Sequence, residues 1–327
     1  MFGFARLPII AVLSLLLLVA ASFLPEGPAR AQEEMPAAPV EAGQVANIDT
    51  TGATSCIKCH DEPPATLILH TVHAQMADPS TPFADKQCQS CHGTSQAHLV
   101  KPAEGQKRAA PDVVFGPTSP TPAEAQNEVC LGCHEGGIRM NWATSDHSSA
   151  DVACATCHDM HAIRDPVLVR ASQPEVCFAC HFEQRAQSLK RSRHPIKEGL
   201  VVCADCHNPH GSFGRSLLKE ATVNETCYQC HAEKRGPFLW EHAPVADECT
   251  NCHTPHGSSQ PRLLVVRAPF LCQQCHAETQ HPSTLYSGEF LPPSSATGAA
   301  RLLAKACLDC HPMIHGTNHP AGVRLTR

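Results

Sequence analysis

The sequence predicts a mostly irregular chain with short α-helices, wound around an interior that its own side chains cannot fill. Three observations predict this. The 327 residues include 20 Cys and 22 His, far above ordinary usage, while aromatic residues make up only 5%. No run of alternating apolar and polar residues is long enough for a sheet. The cysteines and histidines also recur at fixed spacings, so whatever fills the interior is held many times in the same way. A chain of this length ordinarily builds its own core, but 11 Phe, 2 Trp and 2 Tyr are too few large side chains for one.

The cysteines say what the filler is. All of them fall in Cys-x-x-Cys pairs: Cys56 and Cys59, Cys88 and Cys91, Cys130 and Cys133, Cys154 and Cys157, Cys177 and Cys180. The series continues with Cys203 and Cys206, Cys227 and Cys230, Cys249 and Cys252, Cys272 and Cys275, and Cys307 and Cys310. A histidine follows every pair directly: His60, His92, His134, His158, His181, His207, His231, His253, His276 and His311. Cys-x-x-Cys-His is the attachment signature of c-type haem. Two thiols at this spacing add to the two vinyl groups, and the adjacent imidazole is held beneath the iron. Zinc would explain cysteine pairs but not a histidine at one offset ten times. A redox dithiol is expected once in a chain, and disulfides need no histidine. The cofactors expected are therefore ten covalent haems, and the porphyrins supply the core.

Twelve histidines remain: His70, His73, His98, His147, His161, His194, His210, His242, His256, His281, His315 and His319. Methionine cannot serve as the general sixth ligand, since only Met76, Met140, Met160 and Met313 lie in the haem-bearing region. Set against the motifs, the lone histidines expose a repeat of motif, lone histidine, second motif, second lone histidine. Unit one uses Cys56, His73, Cys88 and His98; unit two uses Cys130, His147, Cys154 and His161. Unit three uses Cys177, His194, Cys203 and His210, and unit four Cys227, His242, Cys249 and His256. Unit five, with Cys272, His281, Cys307 and His315, departs most from the spacing, which makes His281 its least regular member. These ten lone histidines are the expected distal ligands, and His70 and His319 fall outside the pattern. The sequence does not say which lone histidine crosses to which iron.

Taken from the start, the chain opens with Arg6, an apolar run from Ile9 to Ala21 and Ala29-Arg30-Ala31 before Gln32. That is the anatomy of a cleavable secretory signal over residues 1–31. An uncleaved anchor is the rival, but the cleavage triplet and Glu33-Glu34 favour cleavage. Loss of residues 1–31 removes Arg6, Glu26 and Arg30 and leaves a mildly acidic chain, which argues against a nucleic-acid partner. Residues 32–53, rich in Ala, Pro and Glu, form an expected flexible lead-in. The proline-dense stretch from His98 to Val129 is expected as a long loop, and Gly288 to Gly298 as a break. Phe182 to Arg193 is expected as a short helix, and His231 to His242 as a similar one despite Gly236 and Pro237. The Pro209-His210-Gly211 and Pro255-His256-Gly257 segments are expected turns. Trp142 and Trp240, just before lone histidines, are expected to pack against haem. The basic cluster Lys190, Arg191 and Arg193 reads as a solvated helix face.

An iron with two imidazoles has no open position, so electron transfer is favoured over catalysis, at low potential in the absence of axial methionine. The repeated Cys-x-x-Cys-His-x-x-His-Gly pattern and the ending Cys307-Leu308-Asp309-Cys310-His311-Pro312-Met313-Ile314-His315-Gly316 resemble the MtrA/DmsE/PioA family of periplasmic decahaem c-type cytochromes. The resemblance covers the chain from about Cys56 to Arg327. It implies two pentahaem halves, 54–190 and 191–327, each similar to the periplasmic donor NrfB, in one elongated molecule. It also implies a periplasmic protein joined to the outer membrane through a large β-barrel partner of the MtrB type, passing electrons between periplasm and cell exterior. An inner-membrane or periplasmic cytochrome would be donor or acceptor, with an outer-surface multihaem cytochrome left open as a further partner. A soluble periplasmic shuttle or a filament subunit would share the same motifs. An enzyme would need an open iron.

Overall fold

The computed structural model describes residues 53–276 and 307–327. All belong to one compact unit, Asp49–Arg327. The expected signal, the lead-in up to residue 52, the Gly288 to Gly298 break and His281 lie outside the described residues.

Helices are short and each haem motif shapes one. The first cysteine of a unit sits at or near the end of a helix, as in Ala123–Leu131, Gln173–Phe178, Val223–Tyr228 and Phe270–Gln273. The first cysteine of the second motif instead begins a helical turn, as in Cys88–His92, Cys154–Cys157 and Cys203–Cys206. In either setting one α-turn spans the motif. The histidine N–H donates to the first cysteine's carbonyl four residues back, at 2.9 Å for His134, His158, His231, His276 and His311. Residues three and four apart share a helix face, so this turn presents two Sγ atoms and one imidazole on the same side.

Few protein side chains pack on one another. The buried apolar residues among those described are Ala53, Ala74, Phe83, Trp142, Ala153, Phe178 and Val202. Only Ala53, Ala74 and Phe83 form a cluster, with Ile57, Ile68, Leu69, Met76 and Cys88 around it. Large apolar side chains such as Phe182, Leu189, Leu200 and Phe213 remain exposed.

Backbone pairing among the described residues is confined to isolated bridges, and they recur with the repeat. Ser192 pairs with Ser258 and Trp240 with Thr317. Each joins the residue two before a first lone histidine to the residue two after the next unit's second lone histidine. His207 pairs with Leu218 and His253 with Leu264, closing the loop after a second motif.

Several local expectations change. Phe182 starts a helix, but it ends at Ser188, and Ser192 is taken into its bridge. The His231 to His242 segment is not the expected helix: only Ala232–Lys234 makes a 3-10 turn. Gly236 at φ +83° and Pro237, which lacks an N–H, stop it there. The loop after His98 is shorter than expected, because Gln96–Leu99 and Ala123–Leu131 are helical on either side of it. The two Pro-His-Gly turns are present, with Gly211 at φ +108° and Gly257 at φ +154°. A Cβ at Gly211 would overlap the Asn141 carbonyl, and one at Gly257 the Gln187 carbonyl. Glycine therefore lets each His-Gly turn lie directly on the backbone of the preceding unit.

Candidate functional site: the haem ligands

The motif turns line one continuous cavity of about 6130 Å³. All ten motif histidines, nineteen of the twenty motif cysteines and nine of the ten expected distal histidines contribute to its wall. A pocket for one drug-sized ligand holds about 300–1,000 Å³, and a tenth of this cavity falls within that range. The cysteines form no disulfide with one another.

The lone histidines face motif histidines across this cavity in nine pairs with ring centroids 6.0–6.4 Å apart. An imidazole–metal bond is about 2 Å, and the ring centroid lies roughly 1 Å behind the nitrogen. Two rings on opposite sides of one iron therefore stand about 6 Å apart, as these do. The residues present fit a six-coordinate haem iron.

The pairing follows a rule. First lone histidines reach forward to the first motif of the next unit: His73 faces His134, His147 faces His181, His194 faces His231 and His242 faces His276. Second lone histidines reach back to the second motif of the preceding unit: His161 faces His92, His210 faces His158, His256 faces His207 and His315 faces His253. In the first unit, His98 turns back to His60 of its own unit. Neither His70 nor His319 faces a motif histidine among the described residues.

Nδ1 hydrogen bonds orient many of these rings. The motif histidines His92, His207, His253 and His311 place Nδ1 on the carbonyls of Val113, Ser216, Arg262 and Arg324 at 2.7–3.0 Å. His158 uses the carboxylate of Asp165 at 2.6 Å. Among the lone histidines, His98 uses Ala109, His147 uses Pro209, His194 uses Pro255 and His161 uses Ala65. His242 approaches the Ile314 carbonyl without full hydrogen-bond geometry. An Nδ1–H donated to an oxygen leaves the Nε2 lone pair for a metal and sets the ring plane.

Burial disfavours the charged form of several of these rings. The His210 imidazole is held at about 4, by desolvation first and by His158, Arg139 and His147 beside it. Burial likewise lowers His73, His92, His256 and His315, with neighbouring imidazoles adding to it and, at His315, Lys234 ahead of them.

Thiol contacts give the order of the motifs in space. Within a unit, the first cysteines of the two motifs adjoin. The Cys154 partner raises Cys130, Cys203 raises Cys177 and Cys249 raises Cys227. Burial and Cys56 push Cys88 to about 11, and burial and Cys307 push Cys272 to about 11. Between units, second cysteines come together: Cys91 near Cys133, Cys157 near Cys180, Cys206 near Cys230 and Cys252 near Cys275. The two kinds of contact alternate, so the ten attachment sites form a single file in sequence order.

Side chains that the motif pattern did not single out hold this file. Asn127 accepts the Cys154 N–H at 2.7 Å, and Asn224 accepts the Cys249 N–H at 2.7 Å. Each is buried, and each sits three residues before the first cysteine of its unit, a spacing that was visible in the sequence. Trp142 packs beside the His210 ring, with centroids 6.4 Å apart. Trp240 donates its indole N–H to the His319 carbonyl at 3.0 Å.

Attachment motifs along one cavity, nine of them bracketed by two imidazoles, define a multihaem c-type cytochrome. Comparison with known proteins narrows this. A doubled CXXCH motif family model matches residues 194–236 and 242–281, and a cytochrome c-type protein NrfB-like model matches 88–173. The chain is 46% identical over 282 residues to the multiheme cytochrome MtrA of Shewanella baltica (strain OS185), covering 86% of this chain and 83% of that one. It is 29% identical over 135 residues to the cytochrome c-type protein NrfB of Escherichia coli O6:H1, covering 40% of this chain and 66% of that one. The chain therefore belongs to the MtrA family of multihaem c-type cytochromes, with haem as its cofactor and electron transport as its work.

Proposed function

We propose that the chain is a periplasmic ten-haem conduit that carries electrons across the outer membrane inside a large β-barrel partner of the MtrB type. The observation that carries this reading is the interlocked ligand scheme. The nine facing histidine pairs each join two motifs or two units, and the thiol contacts keep the motifs in one unbroken file. When bound, the haems would supply one-electron chemistry; the nine facing pairs would hold nine irons on both faces and, with His281 for the tenth, leave no open position for a substrate. The protein is then a carrier and not an enzyme.

The same rule assigns the last ligand. His98 turns to its own unit, and His281, which lies outside the described residues, is the proposed ligand for the haem of His311, the motif histidine that no described histidine faces. The histidines His73, His98, His147, His161, His194, His210, His242, His256, His281 and His315 are the distal ligands of this scheme. Five attachment sites lie in 54–190 and five in 191–327, which is the proposed division into pentahaem halves.

No helix among the described residues is long and apolar enough to cross a membrane. Irregular backbone and exposed polar groups cannot face lipid, so a crossing needs a closed wall, and barrels of more than twenty strands exist. Residues 1–31 supply the export signal that places the chain in the periplasm, where a cytochrome on the inner side is donor or acceptor. The test uses liposomes enclosing an electron acceptor. With the cytochrome and its barrel partner inserted, an external reductant should reduce the enclosed acceptor; with either protein alone it should not. A cytochrome that remains soluble beside the barrel, with insulating liposomes, would replace the conduit by a soluble shuttle.

A further inference from the structure

Five motif histidines, one in the second motif of each unit, place Nδ1 on a protein acceptor. In four of them that acceptor is a neutral backbone carbonyl, from Val113, Ser216, Arg262 or Arg324. His158 alone among the five meets a carboxylate, Asp165 Oδ2 at 2.6 Å, and the Asp165 side chain is only 7% exposed. The carboxylate is aimed by its own chain. Its Oδ1 accepts the backbone N–H groups of Asp159 and Val167, each at 3.3 Å, from its place as N-cap of the 3-10 turn Pro166–Leu168. Oδ2 is thereby turned to the imidazole. Across the cavity, His210 offers no matching contact, because its Nδ1 is buried without a protein partner.

We propose that Asp165 sets the potential of the fourth haem, holding it below the haems at His92, His207, His253 and His311. The inference rests on the reading that His158 ligates iron. A hydrogen bond to a charged acceptor is roughly twice as strong as one to a neutral acceptor. It draws the Nδ1 proton from the ring and makes the imidazole a stronger donor at Nε2. A stronger donor, with a negative charge one ring away, stabilises ferric iron over ferrous and so lowers the potential of the one-electron couple. Carbonyl partners orient the ring equally well but lack the charge, so the four counterparts share the geometry and not the shift.

The test is Asp165→Asn in the full haem-loaded protein, followed by redox titration with low-spin haem signals monitored by EPR. The amide keeps an oxygen for the cap and loses the charge. One haem in ten should become easier to reduce by about tenfold in equilibrium constant, which is about 59 mV for one electron, and its low-spin signal should move while nine stay in place. Asp159→Asn is the control: it removes a charge next to His158 whose Oδ1 accepts the His161 N–H and does not touch the imidazole Nδ1. Superimposable titrations of Asp165→Asn and wild type, with ten low-spin haems in both, would overturn the inference and leave the ligand scheme standing. An equal shift in Asp159→Asn would reduce Asp165 to a charge in the vicinity, which also overturns it. A high-spin haem in the wild type at this site would instead sink the reading beneath it.

Discussion

The two motifs of each unit hold their histidines in opposite ways. In the first motif, His60, His134, His181, His231 and His276 are exposed. None of them has an Nδ1 hydrogen bond to another described residue, and His231 only stands 3.9 Å from Glu233. In the second motif, His92, His158, His207, His253 and His311 are half-buried and each has Nδ1 on a protein oxygen. The facing histidines reverse the pattern. His98, His147 and His194, which face first motifs, are fixed by carbonyls, while His210 has no Nδ1 partner. Most sites therefore have one ring oriented by protein and one free to follow it, and the repeat alternates which side that is. Three sites break the alternation, one of them His242 and His276, where the only contact is the incomplete approach of His242 to the Ile314 carbonyl. At His92 and His161 both rings are fixed, and at His73 and His134 neither is.

The largest expected effect comes from removing a fixed ring. His194→Ala should convert one haem in ten to high-spin, and the haem affected should be the one attached at Cys227 and Cys230, since His194 faces His231. Loss at the haem of His207 would contradict the forward-reaching rule. The second test compares the site with both rings fixed and the site with neither ring in any Nδ1 contact. Added cyanide should displace a histidine first at the His73–His134 site and last at the His92–His161 site, followed by loss of the low-spin signals in that order. Equal rates at all sites would mean that Nδ1 partners do not govern ligand hold.

A smaller effect is expected where the backbone carries the pairing. Gly257→Ala must fit a Cβ against the Gln187 carbonyl at a positive φ. Its cost should be at least about 1–3 kcal/mol, seen as a lower midpoint in thermal unfolding and a weakened His256 ligation at the His207 haem. Asn224→Ala leaves the Cys249 N–H and the Val245 carbonyl without their partner. It should cost about 1–3 kcal/mol, with all haems still low-spin. The smallest effect concerns the partly exposed pair of Arg170 and Asp205, 2.9 Å apart. The Arg170 hydrogen bond holds the Asp205 carboxyl below its ordinary value, against the opposing effect of burial. Its stabilisation is complete above the unfolded carboxyl range near about 4 and is lost as pH falls through the lowered value. Arg170→Ala should therefore weaken resistance to acid slightly and leave stability at neutral pH changed by less than about 1 kcal/mol.

Covalent chemistry made much of this legible in the sequence. Ten motifs with an invariant offset named the cofactor, and the register of His147, His194 and His242 named distal candidates. Few aromatic residues implied that the core is not protein, and the three-residue cluster of Ala53, Ala74 and Phe83 agrees. The crossing pattern was not legible, because it depends on how units interlock. The bridges at Ser192 and Trp240 that set it rest on backbone atoms with no side-chain signature. Helix limits failed where Gly236-Pro237 and the Ser192 bridge overrode local preference. Asp165 was one acid among 31 acidic residues until the loop after His158 brought it to the ring.

The central claim is that every haem is held between two histidines, one from its own motif and one from elsewhere in the chain. A spin-state census of the fully oxidised protein tests it most directly, with intact mass fixing the haem count. Ten haems, all low-spin ferric with bis-imidazole signals and no free thiol, is the expected result. A high-spin signal amounting to one haem or more, in a sample shown by mass to carry all ten, would contradict it.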